Sequence, residues 1–108
     1  MSELFTKRIK FTKCLALLLQ KMIDDGWEPM IGKDGEKHMD GSLHNDGLAK
    51  DILLTKGGVV FDKTEDHKVY GDYWESLDPD CYWGGPGLKE DGLKKDGNHY
   101  SITYQGKK

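Results

Sequence analysis

The chain has 108 residues, 36% of them hydrophobic and 32% charged, with a formal net charge of −3. That length supports one domain, residues 1–108, with one modest core. The acidic balance excludes a global basic field for nucleic acid or for an anionic membrane surface.

The first predicted element is an amphipathic helix from about Ile9 to Asp25. Phe11, Leu15, Leu18, Leu19 and Met22 recur at three- and four-residue spacing and share one face. Lys7-Arg8-Ile9-Lys10 and Lys13 form a basic cluster that reads as the solvated side of this helix. The apolar run Cys14-Leu15-Ala16-Leu17-Leu18-Leu19 passes straight into Gln20-Lys21, with no small-residue cleavage site behind it. It is too short to span a bilayer and does not read as a signal peptide. Gly26 takes the helix-stop position.

Trp27 to Ile31 is predicted as a short strand that Pro29 confines to a sheet edge. Gly32 to Gly41 is polar, glycine-punctuated and aperiodic, and reads as a loop. Leu48 to Leu54 reads as a strand, Lys56-Gly57-Gly58 as a turn and Val59-Val60-Phe61 as the returning arm of a hairpin. Thr64 is the predicted cap of a second helix running to about Leu77, with Glu65 and Asp66 in its first turn. Val69, Tyr70, Tyr73, Trp74 and Leu77 supply its core face, and Gly71 weakens it. Asp78 to Gly97 is rich in Asp, Gly, Pro and Lys and reads as a long surface loop. In the last strand Tyr100, Ile102 and Tyr104 alternate with His99, Ser101 and Thr103. The fold class expected is α+β, a small antiparallel sheet flanked by two main helices. Cys14 and Cys81 are the only cysteines, which makes no disulfide framework. Reduced thiols suit a cytoplasmic site of synthesis.

Chemistry concentrates in two short stretches. His44 and Asp51 flank the turn Asn45-Asp46-Gly47, which lets both side chains converge on one point. His99 opens the last strand and reaches the same point if that strand lies beside Leu48–Leu54. Two imidazoles and a carboxylate are a zinc donor set that leaves the fourth position to water. Zinc lowers the pKa of such a water from ~15.7 toward ~7. Asp96, on the turn before His99, is placed to act as general base without being a ligand. Each residue also has a plainer reading: His44 as a surface histidine, Asp51 as an edge charge, Asp96-Gly97-Asn98 as a common turn.

Ser42 either orients a ligand or caps a turn, and Trp83 either walls a substrate cleft or packs under the long loop. His38 reads as a surface loop histidine rather than a substrate contact. His67 reads as structural, because a fourth protein ligand would close the site. Tyr100 faces away from His99 and is expected in the core.

These residues resemble the M15 family of zinc peptidases, the group of D-Ala-D-Ala carboxypeptidases, dipeptidases and phage endolysins. The family's first motif is Ser-x-His-x-x-Gly-x-Ala-x-Asp, matched by Ser42, His44, Gly47, Ala49 and Asp51. Its second is an acidic residue, two spacers and a His, matched by Asp96 and His99 and followed by the aromatic Tyr100. The segment from Gly71-Asp72-Tyr73-Trp74 through Trp83-Gly84-Gly85 is similar to the phage-encoded branch, and the likeness runs from about Phe11 to Ile102.

The resemblance implies a fold of the hedgehog and DD-peptidase type. It implies Zn2+ on His44, Asp51 and His99, with Asp96 as base and a peptidoglycan stem peptide as substrate. An endolysin made in the host cytoplasm and acting on the wall after release is the expected protein, a monomer with no nucleic-acid partner and no membrane insertion. An endopeptidase between L-Ala and D-Glu is the first choice of activity. A D-Ala-D-Ala carboxypeptidase or dipeptidase is the second. A catalytically silent, zinc-bearing module that binds wall peptides is the reading from another class. One departure from the family motivates it: Gly32 to Gly41 contains no Arg, and Arg8 is the only Arg in the chain.

Overall fold

The computed structural model describes residues 2–32, 43, 46–86 and 97–108. Helix α1 spans Glu3–Asp24 and starts earlier than the periodicity predicts. The reason is its cap: the Ser2 hydroxyl accepts the Phe5 N–H at 3.1 Å, and Glu3 lies in the first turn, where the helix dipole favours it. The buried stripe is Phe11, Cys14, Leu18 and Met22, with Leu15 and Leu19 half-buried beside it. The helix ends in a Schellman arrangement around Gly26. The Trp27 N–H reaches the Met22 carbonyl at 2.9 Å and the Gly26 N–H the Ile23 carbonyl at 3.0 Å.

Five strands follow: β1 (Glu28–Ile31), β2 (Ala49–Lys56), β3 (Val59–Val60), β4 (Cys81–Trp83) and β5 (His99–Ile102). They form one antiparallel sheet in the order β1-β2-β5-β4, with β3 also paired to β2. Pro29 does sit on an edge strand, opposite Leu54. The Gly32 N–H donates to the Asp51 carbonyl at 2.7 Å, so by alternation the Pro29 nitrogen faces away from β2 and no ladder bond is lost. Gly57 and Gly58 join β2 to β3 with φ of 58° and 79°. Two consecutive positive φ values define the type I′ turn that matches strand twist, and glycine adopts them without strain.

The second helical region opens as a 3-10 turn, Thr64–His67, and continues as α2, Lys68–Leu77. The capping position is Lys63, not the predicted Thr64: the Lys63 N–H donates to Asp66 Oδ2 at 3.1 Å, and the Asp66 N–H returns to the Lys63 carbonyl. A second correction is larger. Asp78 to Gly97 is not one long loop, because Cys81-Tyr82-Trp83 forms β4 and pairs with Ile102, Ser101 and Tyr100. Three residues are too few to display a period of two against the Asp-, Gly- and Pro-rich background.

Pairing divides the sheet into two faces. Ile52, Leu54, Tyr100, Ile102, Cys81 and Trp83 share the face on which the helices pack, and each is buried. Trp74 of α2 is its centre. It meets Phe11 of α1 and Tyr100 of β5 edge to face at 5.8 and 5.9 Å, and its indole N–H donates to the Ser101 carbonyl at 3.0 Å. Cys14 and Cys81 are neighbouring buried thiols, and burial, then Cys14, pushes the Cys81 thiol well above its ordinary range. Asp51, His99, Tyr82 and Leu53 lie on the opposite face.

Candidate metal centre

Strand pairing brings two of the three expected ligands together. β5 lies directly beside β2, and Asp51 is the cross-strand partner of His99. Such pairs present their side chains on the same face. His99 Nδ1 is 3.8 Å from Asp51 Oδ1, and the two side chains are 13% and 35% exposed. Two donors at ~2.0–2.1 Å from a tetrahedral zinc stand roughly 3.3 Å apart. A small change of rotamer therefore brings this imidazole and carboxylate onto one ion. One imidazole and one carboxylate are donors of the kind that zinc takes.

The backbone under this pair is tied on every side. The Ile52 N–H donates to the Asn98 carbonyl at 2.9 Å, the Gly84 N–H to the His99 carbonyl at 3.0 Å, and the Gly32 N–H to the Asp51 carbonyl. Tyr82 of β4 stands edge-on to the His99 ring, with centroids 6.4 Å apart.

His44, Ser42 and Asp96 lie outside the described residues, as do His38 and the loop lysines Lys33 and Lys37. The turn that follows His44 is described at its anchors. Leu43 is buried, and its carbonyl accepts the N–H groups of Asp46 at 3.2 Å and Leu48 at 2.9 Å. Arg8 of α1 donates from Nε to the Asp46 carbonyl at 2.7 Å and packs against Gly47. From the other end of the chain, Lys107 donates to Asp46 Oδ2 at 2.9 Å. The only Arg is thus engaged with the backbone of the first motif. Among the described residues no group of three or more His, Cys, Asp or Glu side chains is arranged to hold a metal.

Trp83, expected either as a cleft wall or as packing, is a packing residue here. It is 4% exposed. Its ring lies so close to the backbone that a Cβ at Gly71 would come within 2.0 Å of it, and one at Gly85 within 2.2 Å. Its indole N–H donates to the Gly97 carbonyl at 2.6 Å. Gly71, which weakens the helix by propensity, is the residue that lets this ring approach.

A buried polar ring behind His99 is not foreseen by the sequence reading. His67, fully buried, contacts Asp62 Oδ1 through Nε2 at 2.9 Å and the Tyr100 hydroxyl through Nδ1 at 2.7 Å. Asn98 donates to the other Asp62 oxygen at 3.0 Å. Asp62 accepts only, so the His67 Nε2–H donates to it, and in that tautomer Nδ1 accepts the hydrogen bond of the Tyr100 hydroxyl. Burial, reinforced by the Asp62 charge, drives the Tyr100 pKa far upward, which keeps that hydroxyl a donor. His67 is thus held within the core by Asp62 and the Tyr100 hydroxyl, in keeping with the structural role expected of it. Its two partners come from two separate segments, and no local pattern announces them.

No family model, curated protein or solved structure matches the chain. Among the described residues, no helix is long and apolar enough to cross a membrane.

Proposed function

We propose that this chain is a zinc-dependent peptidase that hydrolyses peptidoglycan stem peptides, as a phage endolysin does. The observation that carries the reading is the cross-strand pair Asp51 and His99, with donor atoms 3.8 Å apart on the sheet face opposite the helices. These two residues close the two sequence motifs of the M15 family that the chain resembles. The α+β architecture with a small antiparallel sheet and two helices is compatible with that family's fold.

In this reading His44 completes the ligand set, and bound zinc supplies a nucleophilic water at neutral pH and polarises the scissile carbonyl. Asp96 takes the proton of that water and hands it to the leaving amine. Ser42 orients a ligand as a substrate-binding residue. The L-Ala–D-Glu bond is the first choice of target, and a terminal D-Ala-D-Ala is the second. The enzyme is made in the host cytoplasm and meets the wall after release.

The test pairs metal analysis with zymography on purified cell walls. The parent is expected to hold one zinc per chain and to clear walls. His44→Ala and His99→Ala are expected to lose both properties. Asp96→Ala should keep zinc and lose nearly all clearing. Equal clearing by Asp96→Ala and the parent removes Asp96 from its role, and a parent without zinc ends the peptidase reading. A second reading, a silent zinc-bearing module for wall peptides, is favoured by one observation: Arg8 is spent on the Asp46 carbonyl. Zinc-loaded parent protein that binds but never clears walls selects it.

A further inference from the structure

The polar ring of Asp62, His67, Tyr100 and Asn98 does more than satisfy buried groups. Tyr100 and Asn98 are the residues on either side of His99. Tyr100 projects into the helix-side core, and its hydroxyl is fixed by His67. Asn98 precedes the strand, and its amide is fixed by Asp62. Asp62 also fixes His67, so the ring closes on itself. His99 sits on the short backbone arc between its two ends. We propose that this ring is the positioning device of the candidate metal centre, acting through Asn98 and Tyr100 to hold His99 in the orientation that faces Asp51. The inference rests on the proposed zinc site for its purpose, but the geometry it asserts exists without the metal.

Three physical points support it. First, β5 begins at His99, where the ladder fixes the backbone through the Asn98 and His99 carbonyls, and the ring adds side-chain hydrogen bonds on the residues to either side. Second, the ring joins two part-buried hydrogen bonds to the Asp62 carboxylate with one buried bond between His67 and the Tyr100 hydroxyl, and bonds to a carboxylate are the stronger kind. Third, side chains that hold a ligand's surroundings are worth about 10–100-fold in metal affinity in known sites. The ring reaches His99 through backbone rather than by touching the imidazole, so the lower end of that range applies.

The experiment compares Asp62→Ala, Tyr100→Phe and the control Asp66→Ala. Asp66 belongs to the same turn but holds only the Lys63 N–H. Zinc affinity is read by competition with a chromogenic chelator, and ligand geometry by the visible spectrum of the cobalt(II)-substituted protein. Asp62→Ala is expected to weaken zinc by about 10-fold and to alter the cobalt bands. Tyr100→Phe, nearly isosteric and retained even if the first variant folds poorly, should shift both readouts less and in the same direction. Asp66→Ala should lower stability and leave both unchanged.

In the metal-free protein, NOEs between the His99 and Tyr82 rings report the same orientation independently. They should be present in the parent and lost or weakened in Asp62→Ala. A parent that binds no zinc ends the peptidase reading but leaves this arm intact. Unchanged NOEs in Asp62→Ala, or an equal loss of zinc affinity in Asp66→Ala, overturn the positioning role.

Discussion

The two faces of the sheet obey different rules. On the helix side, Ile52, Leu54, Ile102 and Tyr100 are wholly buried, and α1 and α2 close over them around Trp74. On the far side, the neighbouring positions of the same strands carry Asp51, His99 and Tyr82. The first face is built by burial of area, so its energy is spread over many contacts and no single polar atom decides it. The second carries buried Ala49 and Ser101 as well, but its distinguishing feature is the direction of one imidazole and one carboxylate. Stability and the candidate chemistry are therefore carried by alternate residues of the same backbone.

Substitutions on each face sharpen or break that division. The largest effect is expected from Trp74→Ala, which empties the centre of the helix-side core and should cost about 3–5 kcal/mol in urea unfolding. Gly71→Ala comes next. Its new methyl would meet the Trp83 ring, and the net loss should be about 1–3 kcal/mol despite the better helix propensity of alanine. An equal or more stable Gly71→Ala protein would mean that Trp83 moves freely and that the close packing is not required.

The helix layer also predicts a pH response. The Tyr70 hydroxyl donates to Asp25 Oδ2 at 2.9 Å, and burial, then that bond, raises its pKa from the ordinary 10.0 to about 12. The folded state keeps the proton while the unfolded chain releases it. The contribution is thus fully present below pH 10 and is lost as pH rises from about 10 to about 12. Urea midpoints should fall across that window, and Tyr70→Phe should flatten part of the fall. A Tyr70→Phe profile parallel to the parent's would remove the assignment.

The smallest effect belongs to the far face. His99→Ala in the metal-free protein should change unfolding free energy by no more than about 1 kcal/mol, the middle of the range for point substitutions, while abolishing metal binding. A loss comparable to that of Trp74→Ala would erase the distinction between the faces.

Much of this arrangement is legible in the chain. The apolar stripe of α1, the Gly57-Gly58 hairpin and the alternation of β5 are local patterns, and each forms where its period places it. The nearness of Asp51 and His99 follows from pairing the strands that carry the two motifs. Periodicity does not show the early start of α1, because Ser2 and Glu3 act through capping. β4 has no local signature, because Cys81-Tyr82-Trp83 becomes a strand only by pairing with β5. The role of Trp83 stays ambiguous in sequence, since only the approach of Gly71 and Gly85 decides it. The ring around His67 is the least legible part, because Asp62, Asn98 and Tyr100 meet it only in three dimensions.

Strand β2 has one further consequence. Its first residues pair with β5 and its remaining ones with β1 and β3, so it is the spine shared by both halves of the sheet. Sliding β2 by a single position would turn Ile52 and Leu54 outward and drive Asp51 among the aromatic rings under the helices. Any pairing that turns Ile52 and Leu54 inward therefore also turns Asp51 to the face that carries His99. The fold thus holds this imidazole and carboxylate side by side, and the entropy of gathering them has been settled during folding.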